Sequence, residues 1–197
     1  VPIDHSLSKY GKQDNATLIP GMLLLMAVIL FAMTRSFSGV FAASVVVVFT
    51  GIGALGLLGL RGWTIDPGSA IAPIVIMTLA VADSIHVVEG MQNAMRLGAA
   101  KIEAIAQSLR DNFLPVFLTS LTTVMGVVTF TFAEMPSQRR LGVTVALGVT
   151  LAFILSVTLL PALLAILPMK RRPARTEISV FDKVANISIN HFKPVSY

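Results

Sequence analysis

One carboxylate lies within a stretch of the sequence that is otherwise apolar. Asp83 stands in the run LAVADSIHVVEG, and it is the only acidic residue between Ser69 and Val88. An ionised carboxylate near the middle of a membrane costs at least ~2.5–3.5 kcal/mol, and burial favours its neutral form. Such residues usually face the interior of a helix bundle and take part in ion or proton pathways. Asp83 is therefore the first candidate for a proton-carrying group, and the alternative is a structural carboxyl bonded to neighbouring hydroxyls.

His86 follows Asp83 by three residues, which places it about one turn further along nearly the same helix face. A histidine beside a carboxyl could share its proton or stabilise its charge. It could equally be an interfacial histidine near the end of the helix. Glu89 lies closer still to that end, and we interpret it as solvated.

Four hydroxyl side chains cluster in the next apolar stretch, within FLPVFLTSLTTVMGVV: Thr119, Ser120, Thr122 and Thr123. The three threonines can share one helix face, and Pro115 upstream suits a first helical turn. The functional interpretation is a polar face that meets Asp83 and holds a chain of waters. The alternative is that each hydroxyl bonds back to its own helix, which membrane helices tolerate.

The composition requires a lipid environment for most of this surface. Of the 197 residues, 55% are hydrophobic and 13% are charged, whereas soluble domains carry roughly 25% charged residues. A soluble domain of this size has too much surface to hide such an excess. Because there are no cysteines, disulfides and thiolate metal sites are excluded. No metalloprotease spacing, serine-nucleophile motif or phosphate-binding glycine loop occurs, so we expect neither an enzyme nor a bound cofactor or metal.

The apolar stretches predict an all-α membrane protein with a bundle of five transmembrane helices. They are continuously apolar rather than alternating, which argues against a β-barrel. Pro73 should either start or kink the third span, and Pro161 should bend the end of the fifth. The five stretches run from about Leu18 to Met33, Ser38 to Leu60, Ser69 to Val88, Phe113 to Phe132 and Leu141 to Leu167.

Lysine and arginine residues predict the orientation, since they are in excess in cytoplasmic loops. The net charge of +5 is interpreted in this way rather than as a sign of nucleic-acid binding. One side has eight of these residues: Arg35, Arg96, Lys101, Arg110, Lys170, Arg171, Arg172 and Arg175. The other side has five: Lys9, Lys12, Arg61, Arg139 and Arg140. The first side should be cytoplasmic, with the N-terminus outside and the C-terminus inside.

The remaining segments are assigned around the spans. Residues 91–112 mix apolar and charged side chains and predict an amphipathic helix at the cytoplasmic interface. Residues 178–192 resemble it and predict a second one. Residues 1–15 are polar and are interpreted as the end of an extracytoplasmic domain, residues 16–168 as the transmembrane domain, and residues 169–197 as a cytoplasmic linker. The first residue, Val1, and the odd number of spans suggest a piece of a longer protein.

The order of these motifs resembles a known family of transporters. VADSIH is followed by an amphipathic segment, then by LPVFLTSLTTVMGVVTF and LGVTVALGVTLAFILSVTLLPALLAI. This arrangement resembles the RND superfamily, specifically the MMPL-type predicted exporters, whose membrane core is similar to the sterol-sensing domain. The resemblance covers Leu18 to about Leu167 and is most specific from Ala82 to Pro168.

The resemblance implies a function and a set of site residues. The chain would be the five-helix block of the first half of a two-half transporter in a bacterial inner membrane. Asp83 matches the acidic residue of the family's proton relay, with Ser84 where many members have an acidic residue or tyrosine. Thr119 to Thr123 match the helix that faces the relay. We therefore assign the proton relay to the following residues: Asp83, His86, Thr119, Thr122 and Thr123.

Two functions remain open at this point. One is proton-driven export of a hydrophobic or lipidic substrate. The other is a sterol- or lipid-sensing module that binds without pumping. The expected partners are the second homologous half, membrane lipids and the substrate, with no nucleic acid and a possible homo-oligomer.

Overall fold

The computed structural model describes residues 20–21, 24–32, 34–63 and 69–169, and within these ranges it contains helices and no strands. The helices are α1 (Phe37–Leu60), α2 (Ala72–Arg96), α3 (Lys101–Val128), α4 (Pro136–Val157) and α5 (Leu159–Ile166). A 3-10 turn, Thr129–Phe132, follows α3. Helical residues also precede α1, at 20–21, 24–32 and 34. The predicted all-α class is confirmed.

Four helical segments in the described part are long and apolar enough to cross a membrane. They are Phe37–Leu60, Ala72–Arg96, Lys101–Phe132 and Pro136–Ile166. They correspond to the second to fifth predicted spans. The predicted first span falls partly outside the described residues. The structure therefore supports four or five membrane helices.

Side-chain chemistry explains several of the helix boundaries. Ser36 caps α1, since its hydroxyl accepts a hydrogen bond from the Gly39 N–H at 3.3 Å. Pro73 lies in the first turn of α2, so it starts this helix rather than kinking it. The break between α4 and α5 falls at Thr158. It lies three residues before Pro161, which has no N–H to bond the Val157 carbonyl.

The amphipathic segment 91–112 differs from its sequence-based prediction. Its first residues complete α2, and its last twelve, from Lys101, form the beginning of α3. The break between them contains Gly98, whose φ of +104° ends the helix in a conformation that favours glycine. Pro115 lies inside α3 and not in its first turn. The structure thus has no separate helix over 91–112, and residues 178–192 lie outside the described part.

The length of α3 explains how one helix can hold both segments. Together with its 3-10 turn, this span contains 32 residues, which is about 48 Å at the usual rise of 1.5 Å per residue. The hydrocarbon core is about 30 Å thick. More than ten residues can therefore project beyond the core, and the charged residues of α3 all lie in its first three turns.

α2 packs against α1, α3 and α4. Small residues allow these helices to approach closely. At Gly148 of α4, an added Cβ would overlap the side chain of Ile76 in α2. Apolar side chains of α1, α2, α3 and α5, including Val87, Met91 and Leu160, form the largest core cluster.

The end of the bundle that contains Arg96 is held together by polar contacts. Lys101 Nζ donates to the carbonyls of Ala165 at 2.6 Å and Leu167 at 2.7 Å, which satisfies backbone acceptors at the end of α5. The Ser38 hydroxyl donates to the Pro168 carbonyl at 2.7 Å. The beginning of α1, the α2–α3 turn and the end of α5 therefore meet at one end, which we call the Arg96 end.

Candidate functional site

Asp83 lies near the middle of α2 and is screened from the surroundings of the bundle. Its side chain is 4% exposed. One turn earlier, Ala80 and Val81 pack with Val47 of α1 and Ala152 of α4 in a core cluster. The fold therefore places the carboxyl among helices, as expected from the high cost of exposing a carboxylate to hydrocarbon.

The hydroxyl that reaches Asp83 belongs to Ser120 of α3. The Ser120 side chain hydrogen-bonds the Asp83 carboxyl and is itself 7% exposed. The other carboxyl oxygen, Oδ2, is buried and has no hydrogen-bond partner among the described residues. Ser84, next to Asp83, donates instead to the Ala80 carbonyl at 2.7 Å. One half of the carboxyl is thus satisfied and the other half is not.

The three threonines of the predicted relay bond to their own helix. Their hydroxyls donate to carbonyls three or four residues earlier: Thr119 to Val116 at 2.9 Å, Thr122 to Leu118 at 2.8 Å and Thr123 to Thr119 at 2.7 Å. Thr119 and Thr122 are exposed, and Thr123 is half-buried. The helix that was expected to meet Asp83, α3, contacts it through Ser120 and not through a hydrogen bond from the three threonines.

Sequence reasoning did not single out Ser120, although a signal for it exists. Ser108, Asn112, Val116 and Ser120 recur every four residues and so lie along one face of α3. Val116 and Ser108 on this face are each 1% exposed. The buried face of α3 could have been found from this four-residue spacing, which continues from the amphipathic segment into the apolar span. The number of hydroxyls in the span does not identify that face.

A second polar contact joins α2 and α3 toward the Arg96 end. The Ser108 hydroxyl donates to the Val87 carbonyl at 2.7 Å, and Asn112 Nδ2 donates to the Ser108 carbonyl at 2.9 Å. Gly90 permits this approach, because an added Cβ would lie 2.5 Å from both Ser108 Oγ and Asn112 Nδ2. The two helices are therefore close where their polar faces meet.

His86 is exposed and lies beside a polar cleft at the Arg96 end. The cleft has a volume of about 360 Å³. Its lining residues are polar or glycine: His86, Glu89, Gly90, Gln92, Asn93, Arg96 and Asn112. Asp83 is not one of them. The structure therefore places His86 and Asp83 on one helix but in different surroundings.

The chemistry available at this site is the gain and loss of a proton. In the described part of the chain, no group of three or more histidine, cysteine, aspartate or glutamate side chains could hold a metal ion. Asp83 combines a buried carboxyl, one hydroxyl partner and one free acceptor. Protonation of Oδ2 would remove the charge from the bundle interior.

Known proteins resemble this chain over most of its length. It is 28% identical over 146 residues to a putative membrane protein of Methanocaldococcus jannaschii, which covers 74% of this chain and 37% of that protein. It is 27% identical over 159 residues to the toluene efflux pump membrane transporter TtgB and to the antibiotic efflux pump membrane transporter ArpB, both of Pseudomonas putida. These matches cover 77% of this chain and 15% of each pump.

The chain therefore spans well under half the length of these relatives. Because each match covers about three quarters of this chain, it includes α2 with Asp83. Residues 2–185 match the model of the MMPL family. The chain belongs to the MMPL family.

Proposed function

We propose that this chain is the proton-coupling block of an RND-type secondary transporter that exports hydrophobic or lipidic substrates. Protonation and deprotonation of Asp83 would drive the conformational cycle. The Arg96 end would face the cytoplasm, with the N-terminus outside, in a bacterial inner membrane. The protein would have no catalytic role, and its partners would be the second homologous half of the transporter and membrane lipids.

The observation that carries this proposal is the incomplete bonding of a buried carboxyl. Asp83 is 4% exposed, and its Oδ2 has no partner in the described part of the chain. A charge there costs about 2.5–3.5 kcal/mol or more, which protonation removes. Each protonation state therefore favours a different arrangement of the helices. A structural carboxyl would be expected to have both oxygens satisfied.

The other relay residues would act around Asp83. Ser120 would orient the carboxyl, and His86 would exchange protons with the polar cleft. Thr119, Thr122 and Thr123 lie on the outer part of α3, where the longer protein can place a neighbouring segment. Two halves that rock about a central site would give Asp83 access to each side of the membrane in turn.

The relatives support export over lipid sensing. Two of them are named as pumps, one for toluene and one for antibiotics. Toluene is a small hydrophobic molecule, which agrees with a hydrophobic substrate class for this chain. The identity is 27%, so we propose the class and not the individual substrate.

Substitution of Asp83 by asparagine tests the proposal, because the amide would mimic the protonated carboxyl and could not release a proton. In the full-length transporter, we expect Asp83→Asn to abolish export of a lipophilic fluorescent dye that the wild type exports, at near-normal expression. The matched control is Asp111→Asn, which neutralises an exposed carboxylate of α3 and should export normally. Wild-type export by Asp83→Asn would favour the lipid-sensing alternative.

A further inference from the structure

About two turns of α3 separate the polar cleft at the Arg96 end from the Asp83 site. On the buried face of this helix, Asn112 lines the cleft and Ser120 hydrogen-bonds Asp83. Val116 lies between them, about 6 Å along the helix from each at the usual rise per residue. It is 1% exposed, and its side chain cannot hydrogen-bond.

The cleft is built to hold water. At about 360 Å³ with a polar lining, it has room for several water molecules. Gln92, which lines it, is 7% exposed, and its Nε2 is buried without a hydrogen-bond partner in the described ranges. A buried amide donor of this kind is usually satisfied by water. The water-accessible region therefore reaches to within about two turns of Ser120.

We infer that Val116 is an apolar gate between Asp83 and this cleft, and that the cleft is the aqueous route by which the Asp83 proton reaches the solvent at the Arg96 end. This inference rests on the proposed role of Asp83. When the gate opens, the Asp83 O–H bond breaks, the proton passes to a water molecule of the cleft, and the carboxylate remains. When it is closed, the buried Val116 side chain keeps the two regions apart.

The surrounding charges fit a route for protons. The titratable or charged side chains that line the cleft are His86, Glu89 and Arg96, all on α2. On the adjacent turn of α3, Arg110 and Asp111 are exposed. α1 and α5 contain no charged residues, and those of α4, Arg139 and Arg140, lie in its first turns at the opposite end. His86 and Glu89 are thus the groups placed to accept a proton near the gate.

The first test measures access with thiol chemistry, for which residues 1–197 contain no competing cysteine. In the full-length transporter, Asn112→Cys and Ser120→Cys are treated with a charged methanethiosulfonate reagent, and peptide mass spectrometry measures labelling at each position. We expect fast labelling at position 112 and protection at position 120. Addition of Val116→Thr should raise labelling at 120 by about tenfold, because a polar gate opens more readily. Equal labelling at 112 and 120 without that substitution would overturn the gate.

The second test measures proton leakage across vesicles that contain the full-length transporter, an imposed pH gradient and an entrapped pH-sensitive dye. Val116→Thr keeps the shape of valine and replaces one methyl group with a hydroxyl, so we expect a faster leak of protons. Adding Asp83→Asn to the same protein should remove this leak. The matched control, Val128→Thr, changes a partly exposed valine of the same helix and should leave the leak unchanged. Val116→Ala serves as a second variant if the threonine form does not fold.

The outcomes separate the gate from the proposed function. If Val116→Thr and Val116→Ala leave both leakage and labelling at wild-type levels, the gate is wrong even if Asp83→Asn abolishes export. If Asp83→Asn exports normally, the proposed function is wrong whatever the behaviour of the Val116 variants.

Discussion

α2 and α3 both carry polar side chains in apolar helices, but the bundle encloses one helix and leaves the other largely uncovered. In the most apolar 18 residues of α2, half (50%) are buried, against 11% for the span formed by α3 and its 3-10 turn. Asp83 of α2 is enclosed, whereas Thr119 and Thr122 of α3 are exposed. The difference reflects what each side chain requires: a hydroxyl can bond to its own helix, and a carboxylate cannot.

The same comparison separates two kinds of hydroxyl within α3. Ser120 faces the enclosed helix and bonds the Asp83 carboxyl. The threonines bond backbone carbonyls of α3 and can face lipid or another protein segment without an unsatisfied donor. The polar residues of α3 therefore belong to two faces, and only the Ser120 face contacts the candidate proton site in the described part.

Transfer of a carboxylate to the uncovered face should give the largest loss of stability. We expect Thr122→Asp to destabilise the protein by about 2.5–3.5 kcal/mol, because the charge would lie on an apolar outer surface within the membrane. Thr122→Asn, a neutral control of similar size, should cost much less. Equilibrium unfolding in mixed micelles measures both. Equal stability of the Asp and Asn variants would show that this face of α3 is hydrated.

Packing around the two helices should differ by a smaller amount. Gly148→Ala adds a methyl group against the Ile76 side chain of α2 and should cost about 1–3 kcal/mol through overpacking. Gly126→Ala adds the same group on α3, where no atom lies within 4 Å, and should be neutral or slightly stabilising. The same unfolding assay compares them. Similar effects at both sites would contradict the difference in enclosure.

Removal of single hydroxyls should have the smallest effects. Ser120→Ala takes away a partner of Asp83, and interhelical hydrogen bonds in membranes contribute about 0.6 kcal/mol on average. We expect a partial loss of the export rate, since the carboxyl would be less well oriented. Thr123→Ala removes a hydrogen bond within α3 and should lower the rate less than Ser120→Ala does. A greater loss for Thr123→Ala than for Ser120→Ala would reverse the assignment of the two faces.

The sequence predicts the spans well because the bilayer sets their length and apolar character. The predicted second span, from Ser38 to Leu60, differs from α1 by one residue at its start. The burial of Asp83 could also be predicted, because the alternative is too costly. The span lengths and the burial of Asp83 depend on the bilayer and on the types of single residues. The residue types can be read directly from the sequence.

Other features depend on contacts between helices, which the sequence does not display. Pro115 suggested the beginning of a helix, but α3 continues through it from Lys101 to Val128. Its missing N–H frees only the Asp111 carbonyl, on an exposed residue. The choice of Ser120 over three threonines follows from how α3 is rotated against α2, and the cleft follows from the contact of Gly90 with Ser108 and Asn112.

The central claim is that Asp83 carries the proton that drives export. The most direct measurement records proton movement and dye transport together, in vesicles that contain the full-length transporter. The wild type should move protons in step with a lipophilic fluorescent dye, and Asp83→Asn should move neither. Dye transport by Asp83→Asn at the wild-type rate, with the same accompanying proton flux, would contradict the account.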